Sequence, residues 1–181
     1  MVKALFLDRD GIIIKDKGYP HTKNDLIFVD GIFDLVGKFV SLNYKIIIVT
    51  NQSGIGRGYF SYSDFDKFMR AIIKSFKEFN IEITSVYFCP HHPVHANPPY
   101  NINCDCRKPK PGMLLQAAND HDINLNKSII IGDSKRDIEA GIAAGLKKVI
   151  LVNSDNKVNQ EIPNIDFMFF EDLQQMLVDY F

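Results

Sequence analysis

The stretch VKALFLDRDG, residues 2–11, decides the fold. Its first six residues are apolar apart from Lys3, too few for a helix, and read as a strand buried on both faces. The run then stops at two aspartates and a glycine. Asp8 and Asp10 are two positions apart, so on extended backbone their side chains leave in the same direction. Gly11 lets the chain turn away with no side chain in its path.

Outward from this point the same grammar repeats. KIIIVT (45–50), EITSVYF (82–88), KSIIIGD (127–133) and KKVILV (147–152) read as further strands. Between them lie stretches with helical spacing: 31–42, 61–79 with Ser61 as N-cap, a helix from about Pro111, and 134–145 ending at Gly145. A short strand at 166–170 and a closing helix over 171–181 complete the pattern. Alternation of strands and helices indicates βαβ units, hence a mainly parallel sheet covered on both faces: an α/β three-layer sandwich of Rossmann type. The 181 residues suit one domain, spanning 1–181, with no internal repeat or linker and no room for a large cap domain.

Composition narrows the partners. Hydrophobic content is 46%, charged content 24% and formal net charge −1. These are ordinary globular values, without the basic excess expected of a nucleic-acid or membrane-surface binder. The apolar N-terminal run is too short for a signal sequence or a membrane span, so a soluble, cytoplasmic protein, expected to be a monomer, is the reading.

Ligands of open α/β sheets bind beyond the carboxyl ends of the strands. There this sequence delivers Asp8 with Asp10, Thr50 with Asn51, and Asp133 with Asp137. A single acidic residue in a βα loop is normally a helix cap. Three converging carboxylates instead call for a cation between them, and all-oxygen ligands suit magnesium. Arg107 and Lys108 bring positive charge to the same region, as phosphate recognition requires.

The segment 88–113, FCPHHPVHANPPYNINCDCRKPKPGM, holds all three cysteines. In a reducing compartment such a cluster reads as a metal site rather than a disulfide framework. Cys89, His91, Cys104 and Cys106 form a complete tetrahedral zinc set with no open position, so the ion would be structural. His92 and His95 are alternatives to His91.

LDRDGII, IVTNQSGIGRG, CRKPKPG and IGDSKRD resemble, in order, the four motifs of the haloacid dehalogenase (HAD) superfamily of phosphatases, over residues 4 to about 150. The resemblance implies a covalent aspartyl-phosphate mechanism. Asp8 would be the nucleophile and Asp10 the general acid and base, with Thr50 and Lys108 holding the phosphoryl oxygens. Magnesium would sit on the Asp8 carboxylate, the Asp10 carbonyl and Asp133, with Asp137 behind. The family usually has Thr where this chain has Ile12, and local repacking is expected there. The zinc loop is similar to that of bacterial heptose bisphosphate phosphatases and, less closely, histidinol phosphatases. The implied substrate is D-glycero-D-manno-heptose 1,7-bisphosphate, losing its 7-phosphate, with histidinol phosphate or another small sugar phosphate as the alternative. A non-catalytic zinc-stabilised binding protein is the alternative from another class, and a nucleic-acid 3′-phosphatase is disfavoured by the charge balance. Candidate substrate contacts are Asp16, Lys17, Gly18 and Tyr19, then Asn51, Gln52, Ser53 and Arg57, and Arg107.

Overall fold

A computed structural model describes residues 2–152 and 167–181. Six parallel strands form one sheet in the order β3-β2-β1-β4-β5-β6. They are β1 (Lys3–Leu7), β2 (Tyr44–Asn51), β3 (Ile83–Cys89), β4 (Ile129–Gly132), β5 (Lys148–Val152) and β6 (Met168–Phe170). The helices are α1 (Ile32–Ser41), α2 (Ser53–Gly56), α3 (Tyr62–Glu78), α4 (Gly112–His121), α5 (Lys135–Ala143) and α6 (Leu173–Tyr180). The expected mainly parallel α/β sandwich is what the chain forms, with boundaries shifted by one or two residues. Lys127 belongs to a 3-10 turn, Leu125–Lys127, rather than to β4, and the four-residue α2 carries too little periodicity to be read from sequence. Asp166, in the expected sixth strand, lies outside the described residues.

Strand period two sorts the core into two layers. Leu5, Leu7, Ile46, Ile48, Ile129, Ile131, Ile150 and Val152 face one side, against buried residues of α1, α3 and α6. Ala4, Phe6, Ile47, Val49, Ile130, Val149 and Leu151 face the other, against α4 and α5. Helix α3 shows why such helices form. Phe65, Phe68, Met69, Ile72 and Phe76 recur at helical spacing on the buried face, and Ser61 and Asp64 close a capping box. Ile12 is fully buried in the first layer, where the usual threonine would bring a hydroxyl.

The strand order runs outward from β1 in both directions, so β1 and β4 are neighbours although the helices that follow them lie on opposite faces. This is the topological switch point, and a crevice opens above the two strand ends. No helix among the described residues is long and apolar enough to cross a membrane.

Candidate active site

The crevice holds a cavity lined by residues from the ends of β1, β2 and β4 and from the 89–108 segment, including Asp8, Asp10, Thr50, Arg107, Lys108 and Asp133. Asp8 directly follows β1, its amide bonded to the Ile131 carbonyl at 3.0 Å. Carboxylate oxygens of Asp8, Asp133 and Asp137 lie within 4.8 Å of one another, an all-oxygen donor set of the kind a hard divalent cation takes. Gly11, at φ +83°, leaves the space Asp133 uses: a Cβ there would stand 2.1 Å from Asp133 Oδ2.

Lys108 is the counter-charge. Its buried ammonium donates to the Val49 carbonyl at 2.8 Å and to Asp137, and pairs with Asp8 Oδ1 at 3.0 Å. Burial alone would lower its pKa, but Asp137 and Asp8 outweigh burial and raise it. Asp137 is fully buried and also accepts from the Ser134 hydroxyl at 2.6 Å, closing the capping box of α5. Burial pushes the Asp8 carboxyl up from 3.8 to about 7, against the pull of Lys108 and with Asp137 and Asp10 adding to the rise. A cation placed among these carboxylates would favour the ionised form.

Thr50, next to last in β2, is buried, and its hydroxyl accepts from the Gln52 amide at 2.8 Å; the same amide reaches Asp10 Oδ2 at 3.1 Å. Asn51 turns both ends of its amide to the backbone of Lys108, at 3.0 and 3.1 Å. Asn51 and Gln52 therefore line the cavity while fixing their neighbours. Ser53 is buried in the wall at the start of α2. Asp16 bonds the amide of Gly18 at 2.9 Å and lines the cavity with Gly18 and Tyr19, whereas Lys17 is exposed and not part of the lining.

More positive charge lines the same cavity. Arg57, Arg107 and Arg136 all reach it, and the buried Nε of Arg57 has no hydrogen-bond partner among the described residues. Arg107 bonds the His91 carbonyl at 3.1 Å; burial and then the nearby Arg136 lower its pKa. Sequence reading passed over Arg136, since the first turn of α5 faces the crevice only once β4 sits beside β1. It also passed over Arg9, whose guanidinium grips Asp10 and is fully buried.

The cysteine segment closes on itself. Sγ atoms of Cys89, Cys104 and Cys106 lie 3.1–3.5 Å apart, and His91 Nδ1 is 3.6 Å from Cys89 and 3.3 Å from Cys106. A tetrahedral ion with bonds of about 2.3 Å to sulfur needs edges of about 3.8 Å, so these four donors surround a space of nearly that size. Burial raises the Cys89 thiol, as expected with no cation beside it. His92 instead turns its Nδ1 to the amides of Val94 and His95 and lines the cavity.

Comparison with known proteins follows the same lines. A family profile described as HAD-hydrolase-like matches residues 105–175. The chain is 46% identical to D-glycero-alpha-D-manno-heptose-1,7-bisphosphate 7-phosphatase of Campylobacter jejuni, covering 86% of this chain and 85% of that one. It is 47% identical to D-glycero-beta-D-manno-heptose-1,7-bisphosphate 7-phosphatase of Helicobacter pylori, covering 83% of each. Among solved structures, D,D-heptose 1,7-bisphosphate phosphatase of B. bronchiseptica, complexed with magnesium and phosphate, superposes with a TM-score of 0.84. That pair shares 26% identity, with 99% of this chain and 98% of the other covered.

Proposed function

The chain belongs to the heptose-1,7-bisphosphate 7-phosphatases of the HAD-like hydrolases, and from that premise we propose that it removes the 7-phosphate of D-glycero-D-manno-heptose 1,7-bisphosphate. The observation that carries this reading is the surplus of positive charge in one cavity. Besides Lys108, which pairs with Asp8, its lining includes Arg57, Arg107 and Arg136, three guanidinium groups near one another, so one anionic group can be cleaved while a second is held.

In this reading Asp8 attacks phosphorus. The Asp10 carboxyl gives its proton to the leaving sugar oxygen, then takes one from the water that releases the aspartyl phosphate. Thr50 and Lys108 hold the phosphoryl oxygens, and the Lys108 ammonium already pairs with the Asp8 carboxylate that receives the phosphoryl group. Asp8, the Asp10 carbonyl and Asp133 would hold magnesium, with Asp137 behind them through Lys108; when bound, it neutralises phosphoryl charge. The Cys89, His91, Cys104 and Cys106 set would hold a structural zinc. Held there, it would pin the segment running directly from Cys106 into Arg107 and Lys108. Asp16, Gly18, Tyr19, Asn51, Gln52, Ser53, Arg57 and Arg107 bind or frame the sugar, and exposed Lys17 would reach it only from outside the lining. The same reading makes the protein a cytoplasmic monomer with a small phosphorylated sugar as its partner, in keeping with a net charge of −1 and no sign of nucleic-acid or membrane binding.

The test is phosphate release, with magnesium present, from heptose 1,7-bisphosphate, heptose 1-phosphate, fructose 1,6-bisphosphate and histidinol phosphate. Highest kcat/KM on heptose bisphosphate, leaving heptose 1-phosphate, is expected. Preference for histidinol phosphate overturns the substrate assignment, and retained turnover in Asp8→Asn overturns the mechanism.

A further inference from the structure

Arg9 stands between the two aspartates of the first strand end, yet its side chain is entirely buried. Its Nε donates to Asp10 Oδ1 at 2.8 Å and its Nη2 to Asp10 Oδ2 at 3.0 Å. The same Nη2 reaches the carbonyl of Pro20 at 3.1 Å. The guanidinium lies 5.4 Å from the ring of Phe68 and 5.8 Å from that of Phe65, both on α3, and its Nη1 is buried with no hydrogen-bond partner among the described residues.

Burying a guanidinium with one nitrogen unsatisfied is costly, and the Asp10 carboxylate is the charge that compensates it. A fork meeting both oxygens of one carboxylate fixes the rotation of that group as a single bond would not. Gln52 adds a third donor, at Asp10 Oδ2. The Pro20 carbonyl belongs to the segment carrying Asp16, Gly18 and Tyr19 at the cavity, so one nitrogen of Arg9 joins the substrate loop to Asp10.

We propose that Arg9 is a positioning residue: its fork holds the Asp10 carboxyl in the orientation for proton transfer and ties that orientation to the seating of the 16–20 loop. The inference rests on Asp10 being the general acid. In the first step the Asp8 oxygen–phosphorus bond forms as the phosphorus–sugar oxygen bond breaks. The proton of the Asp10 carboxyl passes to that oxygen, the alcohol leaves neutral, and Asp10 returns to the carboxylate whose two oxygens the fork holds in this structure.

The experiment exploits the leaving group. A sugar alkoxide must be protonated as it departs, whereas nitrophenolate departs without help. Values of kcat/KM, which report steps through phosphoryl transfer to Asp8, are compared for heptose bisphosphate and p-nitrophenyl phosphate on the same preparation. Their ratio is independent of how much of a variant is folded. Arg9→Met is expected to lower the sugar value ~10²-fold, near the lower end of what a positioned acid contributes, and the nitrophenyl value less than ~3-fold. Arg9→Lys, with one donor head in place of a fork, is expected between them at ~10-fold. Equal losses on the two substrates in Arg9→Met overturn the proposal. Asp10→Asn on the same pair separates the two levels: if it too loses both equally, the general-acid reading fails; if it is selective while Arg9→Met is not, only the role of Arg9 fails.

Discussion

Replacing Asp8 by asparagine removes a carboxyl that the magnesium-free fold holds at about 7 instead of 3.8. Burial is the main cause; Lys108 opposes it, and Asp137 and Asp10 reinforce it. At about 1.36 kcal/mol per tenfold step, the displacement is worth up to ~4 kcal/mol. Its sign follows from proton binding. Between 3.8 and about 7 the folded protein keeps a proton that the unfolded chain has released. Raising the pH therefore favours unfolding across that window and changes nothing further above it. The asparagine variant lacks this slope, so its stability relative to wild type should climb from acid to neutral pH. Side-chain relaxation and the 13% exposure of Asp8 reduce the observable climb to ~2 kcal/mol or more. The assay is urea unfolding of both proteins from about pH 4.5 to about pH 8, free of magnesium and without a strong chelator, which would also strip zinc. Added magnesium should stabilise wild type and flatten the climb, because a cation favours ionised Asp8. A difference that stays level within about 0.5 kcal/mol over this range refutes the account of Asp8 given above.

Lys108→Met leaves buried Asp137 and partly buried Asp8 without their shared cation, so stability should fall by ~3–5 kcal/mol in denaturant melts and turnover should be lost. Gly11→Ala drives a Cβ to 2.1 Å from Asp133 Oδ2 at a φ of +83°; displacement of Asp133 should raise the magnesium concentration for half-maximal activity ~10-fold or more. Cys104→Ser should remove the bound zinc, measured by metal analysis, and lower kcat ~10-fold or more by loosening the backbone of Arg107 and Lys108. Asn51→Ala breaks two bonds to that backbone and should lower kcat ~10-fold with a smaller change in KM, in steady-state assays.

Much of this arrangement is legible in the sequence because strands declare their ends. Asp8, Asp10, Thr50 and Asp133 close apolar runs, and a parallel sheet brings such ends to one edge. The thiol cluster is equally plain from its close spacing and proline-rich surroundings. Asn51 and Gln52 were expected to touch substrate, and their amides are engaged by Lys108, Thr50 and Asp10, partners that no local pattern reveals. Arg9 was hidden for the same reason. Alternation places it opposite its aspartate neighbours, where a turn charge would meet solvent, and packing near Phe65 and Phe68, more than fifty residues on, helps make that side an interior. Arg136 depends on β4, with α5 packed on it, lying beside β1, which is a matter of topology.

The sheet order also bears on how the protein is made. β1, made before the other five strands of this sheet, ends in its centre, with β2 along one flank and β4 along the other. While the chain is shorter than about residue 129 that second flank has no partner, and the amide of Asp8 lacks the Ile131 carbonyl that caps it. Unpaired central strands are slow to satisfy and prone to join foreign edges. A nascent chain halted before β4 should thus be inert toward phosphate esters and a better substrate for chaperones than for its own chemistry, and activity should switch on only once the last third of the chain has emerged.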